Sequence, residues 1–333
     1  MRVVVVSGIW PPDVGGPASH APALSRALLE RGHEVEVVTT ASAPPANPGF
    51  PVHWVSRTRA APLRHIAVTR AVFGAARRGD RVYATTMIRR AALGALLARK
   101  PLVVKLVSDE VYERERRSGR FQGTLTDFQS HRGRLRARAL RATRTAALTR
   151  ARHVIVPSAY LREIAVGWGL DPAGITVVPN PAPELQGVPT RAAARTALAI
   201  AGPALGLAGR LTAQKAVPDA LAALARVPGV QLLVLGEGPE RESLEQLAVE
   251  LGVADRVRFL GPGARDEVLR LFRAVDAVLV TSAWENLPHT VLEALAVGTP
   301  VVCTAVGGIP EIVSDGSNGL LVPAGDVAAI ATA

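Results

Sequence analysis

Two acids, Glu285 and Glu293, stand eight positions apart in the stretch Trp284-Glu285-Asn286-Leu287-Pro288-His289-Thr290-Val291-Leu292-Glu293-Ala294. Carboxylates accept hydrogen bonds from vicinal hydroxyls, so a pair at this interval suits a nucleotide-sugar, which offers such hydroxyls on both its sugar and its ribose. A strand-like run at 277–281 leads into the first acid, and a helical pattern of Val291, Leu292, Leu295 and Ala296 carries the second. Glu285 is therefore expected in the loop at a strand's carboxyl end and Glu293 inside the following helix, around the crevice where open α/β sheets bind ligands. Alone, the pair reads equally well as a loop acid and a solvated helix acid.

Two cations sharpen the choice. Ala208-Gly209-Arg210-Leu211-Thr212-Ala213-Gln214-Lys215 follows another strand-like run directly, which puts Arg210 at a strand end and Lys215 about one turn further on. Placed there, they can clamp a diphosphate and stabilise negative charge that grows on it as a bond to it breaks. Glycine-rich turns recur at strand ends: Gly236-Glu237-Gly238-Pro239, Gly307-Gly308-Ile309-Pro310-Glu311 and, near the amino terminus, Gly15-Gly16-Pro17. Such turns let backbone approach a phosphate, base or ribose closely, although tight loops need glycine as well.

The elements that must hold these residues form two alternating series. In the first, strands are expected at 2–7, 34–39, 52–55, 81–84, 102–107, 153–157 and 175–178, with an amphipathic helix at 21–31. A proline-rich segment, Pro179-Asn180-Pro181-Ala182-Pro183 on to Pro189, has the composition of a hinge. Beyond it strands are expected at 204–208, 231–235, 257–260, 277–281, 300–303 and 319–322, separated by helices near 217–226, 240–251, 265–274 and 290–296. Alternation of this kind predicts an α/β fold of two Rossmann-like, doubly wound parallel-sheet domains facing a central cleft. The expected boundaries are 1–182 for the first domain, 183–190 for a linker and 191–333 for the second.

With 333 residues, 48% of them hydrophobic and 20% charged, the chain has the size and composition of two globular domains. Its single cysteine, Cys303, rules out an internal disulfide framework and reads as a buried thiol in an apolar strand. The short apolar run at 3–6 is too brief for a signal peptide, and no run of about 18 uncharged apolar residues occurs, so a soluble, cytoplasmic protein is expected. A formal charge of +11 favours anionic partners. Aromatic residues make up only 4% and do not interleave with the arginines, which argues against nucleic acid.

Taken together, Gly209-Arg210-Leu211 with Lys215, the 236–239 turn, Glu285 and Glu293 in an E-x7-E frame, the 307–311 turn and Gly319-Leu320-Leu321-Val322 resemble glycosyltransferase family 4, of GT-B fold. The likeness spans essentially the whole second domain, and the Gly15-Gly16-Pro17 loop agrees with it. By that resemblance the chain would be a retaining, metal-independent glycosyltransferase moving a sugar from a nucleoside-diphosphate-sugar donor to a sugar, lipid-linked or small-molecule acceptor, with no cofactor. Arg210 and Lys215 would bind the diphosphate, Glu285, Asn286 and Leu287 would line the donor sugar, Glu293 would hold the ribose, and Gly15, Gly16 and Gly236 would approach the donor. Family members continue past the equivalent of Val322 through helices that cross back to the first domain. The sequence here stops at Ala333, so either those crossover helices are absent by nature or the chain is a fragment, and the second domain is expected to lack them here.

In the first domain, Lys105-Leu106-Val107-Ser108-Asp109 is similar to a lysine-containing strand followed by an acid in one branch of the family. Asp109 would orient the sugar or the acceptor; its competing reading is a helix cap. Arg132, Arg134, Arg136, Arg138, Arg141 and Arg144 belong to an arginine-rich region, 114–152, that a helix would display on one side. Such a face would meet anionic lipid at the inner face of a membrane, or else stand solvated. Rival functions are a binding protein that keeps nucleotide-sugar or polyanion contacts without catalysis, and a nucleotide-sugar epimerase, which needs acids or histidines placed for proton transfer. An NAD-dependent oxidoreductase would want G-x-G-x-x-G and an acid about 20 residues on, and neither stands at the first turn.

Overall fold

The computed structural model describes every residue except Val14, Gly15 and Asn47, together with the side chains of all described residues other than 16–19. The chain divides into two compact units, Met1–Val178 and Pro179–Ala333, so the proline-rich segment belongs to the second.

The first unit opens with β1 (Arg2–Ser7), α1 (Gly16–Glu30), β2 (Glu34–Ala41), β3 (Val52–Ser56) and α2 (Ala61–Arg78). It continues through β4 (Arg81–Ala84), α3 (Ile88–Leu97), β5 (Leu102–Lys105), α4 (Glu110–Arg117), α5 (Leu125–Ser130) and α6 (Leu135–Leu148). It closes with β6 (His153–Val156), α7 (Ala159–Gly167) and β7 (Ile175–Val177). The seven strands are parallel, in the order β3-β2-β1-β4-β5-β6-β7. Val4, Val5 and Val6 of β1 are wholly buried, as expected of a β-branched run at the centre of a sheet covered on both faces.

The second unit comprises α8 (Arg191–Ala197), β8 (Ala204–Ala208), α9 (Val217–Leu224), β9 (Gln231–Leu235), α10 (Arg241–Glu250) and β10 (Val257–Gly261). Then follow α11 (Arg265–Ala274), β11 (Ala277–Val280), α12 (His289–Ala296), β12 (Val301–Thr304), β13 (Gly319–Val322) and α13 (Val327–Thr332). Its six parallel strands run β10-β9-β8-β11-β12-β13. Alternate residues of these strands feed opposite faces. Ala208, Leu235, Val278, Val280 and Cys303 pack with α8, α11 and α12, whereas Leu207, Val234, Leu279 and Val302 pack with α9, α10 and α13.

Both sheets reverse their winding once, between β1 and β4 in the first and between β8 and β11 in the second. At such a reversal the loops leaving two neighbouring strands turn to opposite faces and open a crevice at the strands' carboxyl ends. In the second unit those are the loops that carry Arg210, Lys215 and Glu285.

Candidate functional site

Lys215 and Glu285 meet across the reversal of the second sheet. The Lys215 Nζ lies 2.6 Å from Glu285 Oε1, with side chains 18% and 9% exposed. Glu285 also accepts from Ser282 Oγ at 2.9 Å and from Gln214 Nε2 at 3.5 Å, so three donors fix its orientation. Backbone contacts fix the loops in turn. Thr281 Oγ1 donates to Lys215 O at 2.9 Å, Ala283 N to Gln214 O at 2.8 Å, and Gln214 Nε2 to Trp284 O at 3.1 Å. Below them Thr304 Oγ1 donates to Ser282 O at 2.6 Å.

The glycines serve this packing directly. A Cβ on Gly236 would stand 1.8 Å from the carbonyl oxygen of Gly209, and one on Gly307, which has φ +59°, would stand 1.9 Å from that of Glu285. Only glycine allows either approach. Gly308 N donates to Asn286 O at 2.6 Å, and Asn180 Nδ2 donates to Leu287 O at 3.0 Å, which ties the 285–287 loop down from both sides.

Arg210 is exposed, and among the described residues its guanidinium makes no ion pair or hydrogen bond. The stem of Lys215 lies against its neighbour Gly209, where an added Cβ would be 3.0 Å from the lysine Cε. One free cation and one held cation therefore stand at adjoining places on the β8 loop. Glu293, on α12, is 8% exposed and has Arg265 Nε at 3.2 Å from Oε1. Burial pushes its carboxyl above the usual carboxylate range, and Arg265 offsets part of that. The Cys303 thiol, fully buried, is pushed up to about 12 by burial and then by the charge of Glu285, which leaves it a packing residue.

Two expectations for the first unit need correction. Asp109 is not an open acid: it is 1% exposed, its Oδ1 accepts from Val111 N at 2.9 Å to cap α4, and its Oδ2 lies 2.6 Å from Arg144 Nη1. The cap on Oδ1 matches the helix-cap reading, and the Arg144 ion pair on Oδ2, close in distance but not aligned as a hydrogen bond, holds α4 against α6. The arginines do not form one uniform basic face either. Arg144 is 3% exposed, with its guanidinium 3.5 Å from the centre of the Trp168 ring. Arg141 lies over Phe128 and donates to the carbonyls of His131 and Phe128 at 2.5 and 2.7 Å. Arg132, Arg134, Arg136 and Arg138 remain exposed. Gly15 lies outside the described residues, and Gly16 opens α1.

Sequence reading missed Ser282, Thr281 and Arg265. Hydroxyl residues at strand ends are too common to stand out, and Arg265 reaches Glu293 only through the packing of α11 on α12.

A family model described as "Glycosyl transferase 4-like domain" matches residues 15–181, and one described as "Glycosyl transferases group 1" matches residues 199–333. The chain is similar to a D-inositol 3-phosphate glycosyltransferase from Mycobacterium marinum, 43% identical over 166 residues that make up 47% of this chain and 35% of that protein. It is also similar to the lipopolysaccharide core biosynthesis glycosyltransferase LpsE of Rhizobium meliloti, 42% identical over 125 residues covering 38% of this chain and 36% of the relative. The matched segments thus span about a third of the length of these relatives. In fold, the whole chain matches 88% of Anabaena HepE, solved in complex with UDP-glucose, at a TM-score of 0.79 and 23% identity. It likewise matches 88% of sucrose-phosphate synthase from Thermosynechococcus elongatus, at a TM-score of 0.81 and 22% identity. With one family model on each compact unit, the chain belongs to glycosyltransferase family 4, of GT-B fold.

Proposed function

We propose that this chain is a retaining glycosyltransferase, taking a sugar from a nucleoside-diphosphate-sugar and passing it to an acceptor hydroxyl. The observation that carries the reading is the Lys215–Glu285 pair spanning the reversal of the second sheet, with Arg210, unpaired among the described residues, on the same loop as Lys215. Arg210 and Lys215 would neutralise the diphosphate as the bond from the anomeric carbon to its oxygen breaks and the electron pair moves onto that oxygen. In a front-face transfer the acceptor oxygen bonds to the anomeric carbon on the same side, and its proton passes to the departing diphosphate. No enzyme nucleophile takes part. Glu285 would orient Lys215 and accept from a donor-sugar hydroxyl, lined by Asn286 and Leu287, while Glu293 would accept from the ribose hydroxyls through the oxygen that Arg265 leaves open. The UDP-glucose bound by HepE supports this donor class.

The reading also includes metal independence, since the two cations supply the charge at the diphosphate, and a cytoplasmic protein that visits the inner face of a membrane. Arg132, Arg134, Arg136 and Arg138, with Leu135 80% exposed among them, would make that contact; binding to anionic liposomes that does not fall with added salt, or that is equal on neutral lipid, would remove it.

A thermal-shift panel of UDP-, GDP- and ADP-glucose on the wild type, Lys215→Ala and Glu293→Ala tests the donor site, because a ligand bound by the folded state raises its melting temperature. One nucleotide should stabilise the wild type and neither variant. Shifts that ignore both substitutions, or none at all, would sink the assignment. The anomeric proton coupling of the product, read by NMR, tests retention, and turnover in EDTA tests metal independence.

A further inference from the structure

The first sheet carries a buried polar row at the carboxyl ends of its central strands. The register Val82↔Leu102, Tyr83↔Val103, Ala84↔Val104 brings Thr85 level with Lys105 at the next step, and Val6↔Ala84 brings Ser7 level with Thr85. Ser7 in turn pairs with Thr39. Strand geometry continues through Thr85, whose N donates to Val6 O at 3.0 Å. Neighbours across a parallel ladder point to one face, here the face on which Val37, Val5 and Tyr83 pack with Ala21 and Leu28 of α1.

The four side chains of this row are 0, 0, 3 and 8% exposed from Thr39 to Lys105, yet they are not equally satisfied. Ser7 Oγ donates to Ile9 O at 2.7 Å, and Thr39 Oγ1 to Thr40 O at 3.4 Å. Among the described residues, Thr85 Oγ1 is buried with no hydrogen-bond partner. Lys105 makes no ion pair or side-chain hydrogen bond among the described residues. An uncompensated buried ammonium and an orphaned hydroxyl both destabilise the fold, and a Met or Val of similar size would avoid the cost. They also sit beside the β1/β4 reversal, the position at which such sheets take ligands.

We propose that Lys105 and Thr85 form an oxyanion subsite that receives the acidic group of the acceptor, a phosphate ester or a carboxylate. The ammonium supplies a compact charge and the hydroxyl a short donor, and an anion at the crevice end of the row would satisfy both. This assignment to the acceptor rests on the glycosyltransferase reading above; the anion site itself does not.

Calorimetric titration of the full chain with inorganic phosphate and with acetate tests it, run on Arg210→Met/Lys215→Met protein so that the second unit's two cations do not contribute. Adding Lys105→Met should weaken phosphate binding about tenfold or more, and Thr85→Val should weaken it by less. Binding of phosphate but not acetate identifies a phosphate ester as the group; equal binding of acetate identifies a carboxylate. Phosphate binding unchanged by Lys105→Met in protein with an intact melting transition overturns the proposal. Should Lys105→Met fail to fold, Thr85→Val, which removes only a hydroxyl, decides the matter in the same way. UDP-glucose binding supplies the separate control. If Lys215→Met leaves it unchanged, the donor reading fails while the anion site stands; if UDP-glucose displaces the Lys105-dependent phosphate, the site belongs to the donor and the acceptor assignment is wrong.

Discussion

Lys215 Nζ stands 2.6 Å from Glu285 Oε1, so a cation and an acid with separate expected duties hold each other in place. Each side chain is less than a fifth exposed, and the pair joins loops from two strands of the sheet. Removing either partner therefore unpins loops from two strands of the sheet.

The two halves of the pair should not be equivalent. Glu285→Ala strands a mostly buried ammonium and is expected to cost about 3 kcal/mol in urea unfolding. Lys215→Ala should cost less, because Glu285 keeps Ser282 and Gln214 as donors. The double substitution should be milder than the sum of the two. Strict additivity in that cycle would show that the pair contributes nothing to stability.

Glu293 should trade stability for binding. Its folded carboxyl is raised above the ordinary 4.5 by burial, so the stability linked to its proton is fully present below that pH and is lost as pH rises through the folded value. At neutral pH, Glu293→Gln is expected to melt no lower than wild type, with the difference shifting in the variant's favour as pH increases, while nucleotide-sugar affinity falls about tenfold. A variant that melts clearly lower at neutral pH than at pH 4.5, relative to wild type, contradicts this.

Gly307→Ala forces a methyl to 1.9 Å from the Glu285 carbonyl, and Gly236→Ala one to 1.8 Å from that of Gly209. Both should lower the melting temperature and weaken donor binding, since the loops cannot shift without moving Glu285 or Arg210. Gly252→Ala is the control: φ is +67° there and no neighbour is close, so it should cost only about 1 kcal/mol of backbone strain and leave donor binding intact.

Asp109→Ala removes the α4 cap and leaves Arg144 without its counter-charge under Trp168, an expected loss of about 3–5 kcal/mol. Chemical denaturation measures it directly. A variant as stable as wild type but inactive would restore Asp109 to the reacting site.

Much of the fold could be read from periodicity. The strands Arg81–Ala84, Ala204–Ala208, Gln231–Leu235 and Gly319–Val322 and the helix Arg265–Ala274 coincide with their predicted bounds, because continuous β-branched or apolar runs between turn residues admit few other structures. The β5 strand ends at Lys105 and not at Val107, since the chain turns toward the Asp109 cap. On the site, residue types placed Lys215 and Glu285 in loops at the carboxyl ends of two strands, and the sheet order makes those loops neighbours. Their mutual pairing was not legible, because a basic and an acidic residue each announce a ligand as readily as each other. The same holds for Arg144, where nothing local reveals that Trp168 and Asp109 will enclose it.

Each sheet reverses at its own first strand, so each crevice is furnished by loops of its own half of the chain. In evolutionary terms the halves are separately editable. The interlocked glycine turns and the Lys215–Glu285 ion pair are made wholly of second-half residues, and β1, β4 and β5 contribute none of them.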